Sequence, residues 1–334
     1  MFALRPLRDL LRYACRKASQ CGSGHHDPGQ RRVGKEALPF ARKVGGEVGD
    51  QRVATAQMLG PGVGKRDPVD RLDFAKTPDE LLAAAARQAK TIDGLMPRLF
   101  GKLPRLPYGI RPIPAETAEG TTTAYYNSGS PETGIAGTYY VNTSKLDQRP
   151  LWELPALTVH EAVPGHHMQI ATQQELDLPA WRKATAFYTA FVEGWGLYSE
   201  RLGIEMGIYD TPEKNMGRLS YEMWRACRLV VDTGLHSKGW SKERAVAFMK
   251  DNTALTDANI DAEVNRYISN PGQALAYKLG ELKIRDLRGR AEKALGPKFD
   301  LRRFHDAVIG EGAVPLDVLD AQIMRWVAAE RTRA

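Results

Sequence analysis

From Gly22 to about Asp70 hydrophobic and polar positions follow neither a helical nor a strand period, and Gly, Arg, Lys and Pro recur in runs such as GSGHHDPGQRRVGKE and GPGVGKRDP. A stretch of this kind buries too little apolar surface to offset its chain entropy, and it is expected to be loop or unstructured. Near Phe74 the pattern changes. In KTPDELLAAAARQAKTIDGLMPRLFGKL, Thr77 stands as an N-cap, Pro78 occupies the first helical position, Glu80 completes a capping box, and an apolar stripe follows. A Pro-rich connector, LPRLPYGIRPIP, leads to TTTAYYNSG and GTYYVNTSKL, where aromatic and β-branched residues bounded by Gly and Asn predict two short paired strands. From Pro150 onward the pattern is helical, with segments starting near Leu151, Pro179, Pro212, Ser241, Thr256, Pro271, Leu301 and Pro315, many opened by a Pro or a Ser/Thr cap. The predicted class is mainly α with a small β-sheet: a basic, irregular tail over 1–73 and a helical domain over 74–334.

Composition changes this picture little. The chain has 334 residues and is 43% hydrophobic, enough for one large or two ordinary domains. No apolar run approaches the roughly 20 residues of a membrane-spanning helix. The net charge of +7 suggests nucleic acid until it is located. Residues 1–70 hold 13 Lys and Arg against 7 Asp and Glu, which leaves 34 against 33 for the rest. A nearly neutral body gives nucleic-acid binding no footprint. Cys15, Cys21 and Cys227 are too few and too irregularly spaced for a disulfide framework or a cysteine zinc site, and Cys227, in EMWRACRLVV, reads as a core thiol. The opening segment MFALRPLRDLLRYACRKASQCG lacks the apolar core of a secretory signal. A cytoplasmic location is the default expectation, and a secreted or periplasmic one follows if the true N-terminus lies further upstream.

Three polar clusters sit inside otherwise apolar helices. The first is TVHEAVPGHHMQ, with His160, Glu161, His166 and His167. A helical zinc site places His-Glu four residues before a second His, but here the fourth position is Pro164. On a regular helix six or seven residues rise roughly 9–10 Å, too far for two imidazoles to share one ion. Pro164 removes a donor and clashes with the carbonyl of His160, and Gly165 tolerates the backbone that results, so the helix should break and draw His166 or His167 back toward His160. The second cluster is FVEGWGLYSE. Glu193 and Glu200 each qualify as the third ligand of a two-His site, but seven residues apart only one can reach the ion, and Glu193, between Val192 and Gly194-Trp195, is the better buried. The third joins RLVVDTGLHSKGW to NPGQALAYKLGELK. Asp232 is one turn from His236, Gln273 one turn from Tyr277, and either His236 or Tyr277 is a candidate donor to an oxyanion.

These segments resemble the bacterial domain of unknown function 885 family, grouped with the gluzincin metallopeptidases: HEAVPGHHMQ, FVEGWGLYSE, RLVVDTGLHSKGW and NPGQALAYKLGELKIRDLR occur in order, from about Phe74 to the C-terminus. The resemblance implies a helical zincin-like fold and favours Glu193 as third ligand, because EGW is similar to the NEG segment that supplies a zinc-binding Glu in gluzincin aminopeptidases. It also implies that GTYYVNT is a sheet edge beside the cleft, pairing with an extended substrate, which makes Tyr139, Tyr140 and Asn142 candidates for substrate contact together with Gln273. Family members are about twice this long, so the resemblance covers their C-terminal half. The expected function is hydrolysis of a peptide or small amide with one zinc per chain and Glu161 as general base. The alternative is a non-catalytic remnant that binds or scaffolds.

Overall fold

The computed structural model describes residues 74–333, so the expectation of an irregular tail over 1–73 lies outside the described residues. Helix α1 runs from Pro78 to Asp93. Its start follows the capping signal: Glu80 N donates to Thr77 Oγ1 at 3.2 Å, and the Glu80 carboxylate accepts from Lys76 N, one residue further back than a capping box requires. The helix stops at Gly94, and the remaining apolar positions continue as a short 3₁₀ turn, Met96–Arg98.

Strands β1 (Tyr108–Pro112), β2 (Ala124–Asn127) and β3 (Gly137–Val141) form one sheet in the order β1-β3-β2, and the single turn α2 (Ala115–Ala118) lies between β1 and β2. The expected pair is present, with β2 antiparallel to β3 from Ala124↔Val141 to Asn127↔Thr138. Two expectations fail. The Pro-rich connector contains β1, which runs parallel to β3; Pro112 closes that strand at its outer edge, where a missing amide costs no ladder bond. GTYYVNT is therefore the central strand of the sheet and not its edge.

The rest is helical: α3 (Leu154–Glu161), α4 (His166–Glu175), α5 (Ala180–Ala184), α6 (Thr189–Met206), α7 (Pro212–Lys238), α8 (Lys242–Asn252), α9 (Asp257–Ser269), α10 (Gln273–Leu295), α11 (Leu301–Ile309) and α12 (Leu316–Thr332). Thr211, Ser241 and Thr256 cap α7, α8 and α9 through their hydroxyls, as their sequence positions predict. No capping side chain marks the start of α6, which is why no helix start was expected at Thr189. No helix among the described residues is long and apolar enough to cross a membrane.

Two apolar clusters form the core. One packs α6, α10, α11 and α12 through Trp195, Tyr198, Ile284, Leu287, Phe304 and Ile323. The other packs α1, the sheet, α7, α8 and α9 through Leu81, Val141, Trp224, Val231, Met249 and Val264. Each such side chain, fully buried, contributes on the order of 2 kcal/mol before entropy is counted. Helix α3 serves both, with Val159 in the first cluster and Ala156 and Leu157 in the second. Its C-terminal end, His160-Glu161, thus lies at the seam. Cys227 is buried in the second cluster.

Candidate metal centre and cleft

The helix break expected at Pro164 is present. Helix α3 ends at Glu161, the Val163–Pro164 bond is cis, and α4 begins at His166. Trp195 Nε1 donates to the Pro164 carbonyl at 2.8 Å, and His167 N donates to Ala162 O at 3.0 Å, so the turn is tied to α6 and to itself. Gly165 is required by close approach, since a Cβ there would overlap the carbonyl oxygen of His160. The turn brings the His166 ring to 4.7 Å from the His160 ring, nearly perpendicular to it.

Glu193 completes the group from α6. Its Oε2 lies 3.3 Å from His166 Nε2 and 3.6 Å from His160 Nε2, and one ligand atom from each of the three residues falls within 4.8 Å of the others. Bonds of about 2.0–2.1 Å in tetrahedral array put ligand atoms roughly 3.3 Å apart, so the spacing fits a zinc-sized ion with a fourth position left over. The surroundings point the same way. Among the described residues the buried Glu193 Oε2 has no hydrogen-bond donor, while its Oε1 accepts from Gln273 Nε2 at 3.1 Å. His160 Nδ1 lies 2.8 Å from Glu200 Oε1; a carboxylate can only accept there, which leaves Nε2 as the ring nitrogen that faces the group. Glu200 is in turn paired with Arg225 at 3.0 Å. Glu200, the other candidate third ligand, is thus on the far side of His160 and orients it.

The electrostatics agree with a site built for positive charge. Burial works to raise the Glu193 carboxyl, but the His160 and His166 imidazoles outweigh it and hold it well below the usual carboxylate range. Burial works to lower His160, and the Glu193 and Glu200 carboxylates reverse this, holding it at about 9 without metal. Glu161, next in sequence and facing the same cleft, is raised, chiefly by burial, which suits a group that must take and give up a proton. Gly196 makes room for this arrangement, because a Cβ there would sit 2.7–2.8 Å from the His160 ring.

Several expected site residues stand elsewhere. His167 is turned away: its Nε2 donates to Leu106 O at 3.0 Å and its Nδ1 accepts from the Tyr126 hydroxyl at 2.9 Å, and burial pushes it down to about 4, so it is a neutral, doubly satisfied core histidine. His236 Nε2 donates to Tyr267 O at 2.8 Å, tying α7 to α9, and it does not line the cleft. Asp232 does not orient it, since its carboxylate accepts from Gly272 N at the start of α10. Tyr139 is fully buried beneath the sheet, and Asn142 is consumed by the carbonyls of Ala118, Thr121 and Thr122 and by Ser144. Neither lines the cleft. Tyr140 stacks on Tyr125 at 5.0 Å. Gln273 and Tyr277 do reach the site: Gln273 Nε2 also donates to the Tyr277 hydroxyl at 3.1 Å, and the Tyr277 ring lies 6.0 Å from that of His160.

The group of His160, His166 and Glu193 opens into a cleft of about 260 Å³. One wall is β2 with the residues before it, Thr122 to Tyr126, and the other is formed by α7, α9 and α10, with Arg225, Arg228 and Arg266. The strand beside the cleft is therefore β2, an outer strand of the sheet. The arginines were not anticipated. The signal was available in MWRACRLVV, where Arg225 and Arg228 stand three apart inside an apolar stripe.

The fold is similar to two solved structures. The crystal structure described as "the putative lipoprotein from Colwellia psychrerythraea" matches with a TM-score of 0.76 and 34% identity over 98% of this chain and 53% of that one, so the chain spans about half the length of this relative. A second, described as "a putative lipoprotein of unknown function from Shewanella oneidensis", matches in fold with a TM-score of 0.53 at 18% identity, over 96% of this chain and 74% of that one. No curated protein matches the chain. The model of the family described as "Bacterial protein of unknown function (DUF885)" matches residues 31–323, and the chain belongs to that family.

Proposed function

We propose that the protein is a zinc-dependent hydrolase of peptide or amide bonds with a zincin-like site of the gluzincin kind. The observation that carries this reading is the convergence of His160, His166 and Glu193 beside a buried, proton-ready Glu161 in an open cleft. His160, His166 and Glu193 would hold the ion. Zinc so bound supplies a water acidic enough to react near neutral pH and polarises a carbonyl.

The chain's own groups carry the rest. Glu161 takes the proton of the attacking water and delivers it to the departing amine. The Tyr277 hydroxyl accepts from Gln273, which leaves its own proton for the oxygen that becomes negative as the carbonyl is attacked. Burial raises the Tyr277 hydroxyl above its usual range, so it stays protonated and able to donate. Glu200 fixes the His160 ring, and Gln273 fixes Glu193. Similarity to the Colwellia psychrerythraea protein described as a putative lipoprotein favours a location outside the cytoplasm.

The test is metal content by mass spectrometry on the purified chain, with His160→Ala, Glu193→Ala and Glu161→Gln. About one zinc per chain is expected in the wild type and in Glu161→Gln, and none in the other two. Turnover of a peptide mixture should fall at least a hundredfold in Glu161→Gln. Metal bound without turnover in the wild type would favour a binding protein that retains the site.

A further inference from the structure

The wall opposite β2 carries two buried guanidinium groups whose hydrogen bonds are incomplete. Arg228 is 2% exposed and lies between the Trp224 and Tyr277 rings, 4.3 Å from each centroid. Its Nε donates to the Tyr267 hydroxyl and one terminal nitrogen to Glu263, while Nη1 has no acceptor among the described residues. One turn earlier on α7, Arg225 is fixed by Glu200 and by the Tyr221 carbonyl, while its Nε has none. Two other buried arginine nitrogens, on Arg201 and Arg303, also lack acceptors, but neither residue lines the cleft. Arg225 and Arg228 both do. A buried donor left without an acceptor is unfavourable, and a ligand that supplies one removes the penalty.

Charge on this wall points to the kind of acceptor. Glu200 balances Arg225, but the single carboxylate of Glu263 is shared between Arg228 and Arg266, at 2.8 Å from each. One positive charge remains, held rigid by two aromatic faces. Distance sets how the acceptor relates to the proposed chemistry. The Arg228 guanidinium is 4.3 Å from the Tyr277 ring centre, and that centre is 6.0 Å from the His160 ring. The guanidinium is therefore within roughly 10 Å of the metal ligand, room for one or at most two residues of extended chain at about 3.5 Å each.

We propose that Arg228, assisted by Arg225, binds the free C-terminal carboxylate of the substrate, so that the cleft takes peptides or N-acyl amino acids and releases one or two residues from the carboxyl end. The proposal rests on the hydrolase reading for the bond cleaved but not for the carboxylate bound. A planar fork suits a carboxylate, and a site built around it rejects an uncharged amide at the same place.

The test uses N-acetyl-tetraalanine and its C-terminal amide with the full chain. Calorimetry on chelator-treated protein reads binding apart from catalysis: the acid is expected to bind at least tenfold more tightly than the amide. Arg228→Lys and Arg225→Lys, each checked for native circular dichroism, should narrow that preference, with Arg228→Lys narrowing it more. Equal binding of acid and amide to the wild type, or an undiminished preference in both variants, overturns the proposal. With zinc restored, kcat/KM for the acid should exceed that for the amide at least a hundredfold, and mass spectrometry should find alanine or dialanine as the released fragment. Equal cleavage of both, or cleavage at the acetylated end, also overturns it. Preferential binding of the acid with cleavage of neither leaves the carboxylate site standing and removes the hydrolase reading instead.

Discussion

His160 is held from three directions: Glu200 at its Nδ1, the stacked Tyr277 ring at 6.0 Å, and the bare backbone of Gly196 beneath its face. Each leaves the Nε2 position unchanged and limits how the ring can turn. Gly196→Ala is therefore expected to push the ring off its line to Glu193 and weaken zinc binding 10- to 100-fold, read by competition against a chromophoric chelator, with the far-ultraviolet circular dichroism unchanged. His160, Glu161 and Glu193 could be read from the sequence because each is a charged or ligating type set in an apolar run. The choice between His166 and His167 could not, because adjacent residues at a helix start point in directions fixed by the path of the preceding turn. The burial of Asn142 was hidden for a related reason: its acceptors lie 20–24 residues away, in α2 and the loop that joins it to β2.

At the scale of elements, the site depends on an interruption. A continuous helix through residues 154–175 would carry His160 and His166 on different faces, and the Ala162–Gly165 turn is what returns the second imidazole to the first. Trp195 holds that turn from α6. Trp195→Phe keeps the ring packing against Phe100 but leaves the Pro164 carbonyl without its donor. The expected cost is about 1–3 kcal/mol in urea unfolding, with weaker metal binding as a second effect. Helix starts at Pro212, Ser241 and Thr256 were legible because caps are local chemistry. Strand β1 was not, since its hydrogen bonds come from β3 nearly thirty residues later and its Tyr108 and Ile110 are outweighed by Gly109, Pro112 and the prolines around it. The order of strands is a property of the whole sheet; it puts β3 at the centre and leaves β2 as an outer strand, the one that borders the cleft.

At the scale of the molecule, His160, His166 and Glu193 come from α3, α4 and α6, where the two apolar clusters meet, so a metal held by them should couple the clusters. Zinc at a hundredfold over its dissociation constant is expected to stabilise the fold by about 2.7 kcal/mol, seen as a rise in Tm that chelator reverses and that Glu193→Ala abolishes. A second dependence comes from His305, fully buried, which donates from Nδ1 to Leu99 O and accepts from the Tyr198 hydroxyl. Burial pushes it down from 6.5 to about 3. The unfolded chain takes up a proton below 6.5 that the folded chain refuses, so this contribution is complete above 6.5 and is lost as pH falls toward 3. The unfolding free energy of the metal-free protein, read from urea titrations, should drop across that window, by up to about 5 kcal/mol from this group, and less steeply in His305→Gln.

The crossing of α6 and α10 has no side chain between its helices at Gly194 and Gly280, where a Cβ on either would overlap the other's backbone. Glu193 is one residue from that crossing, and Tyr277 is three residues from it on the other helix. The spacing between Glu193, the proposed third ligand, and the hydroxyl that would meet the substrate oxygen is then a main-chain dimension, insensitive to what the two helices carry elsewhere. Sequence drift along the outer faces of α6 and α10 should therefore be silent in turnover. A scan of both helices should show tolerance at outward-facing positions such as Ile204, Leu279 and Lys293, and no tolerance for any side chain at Gly194 or Gly280.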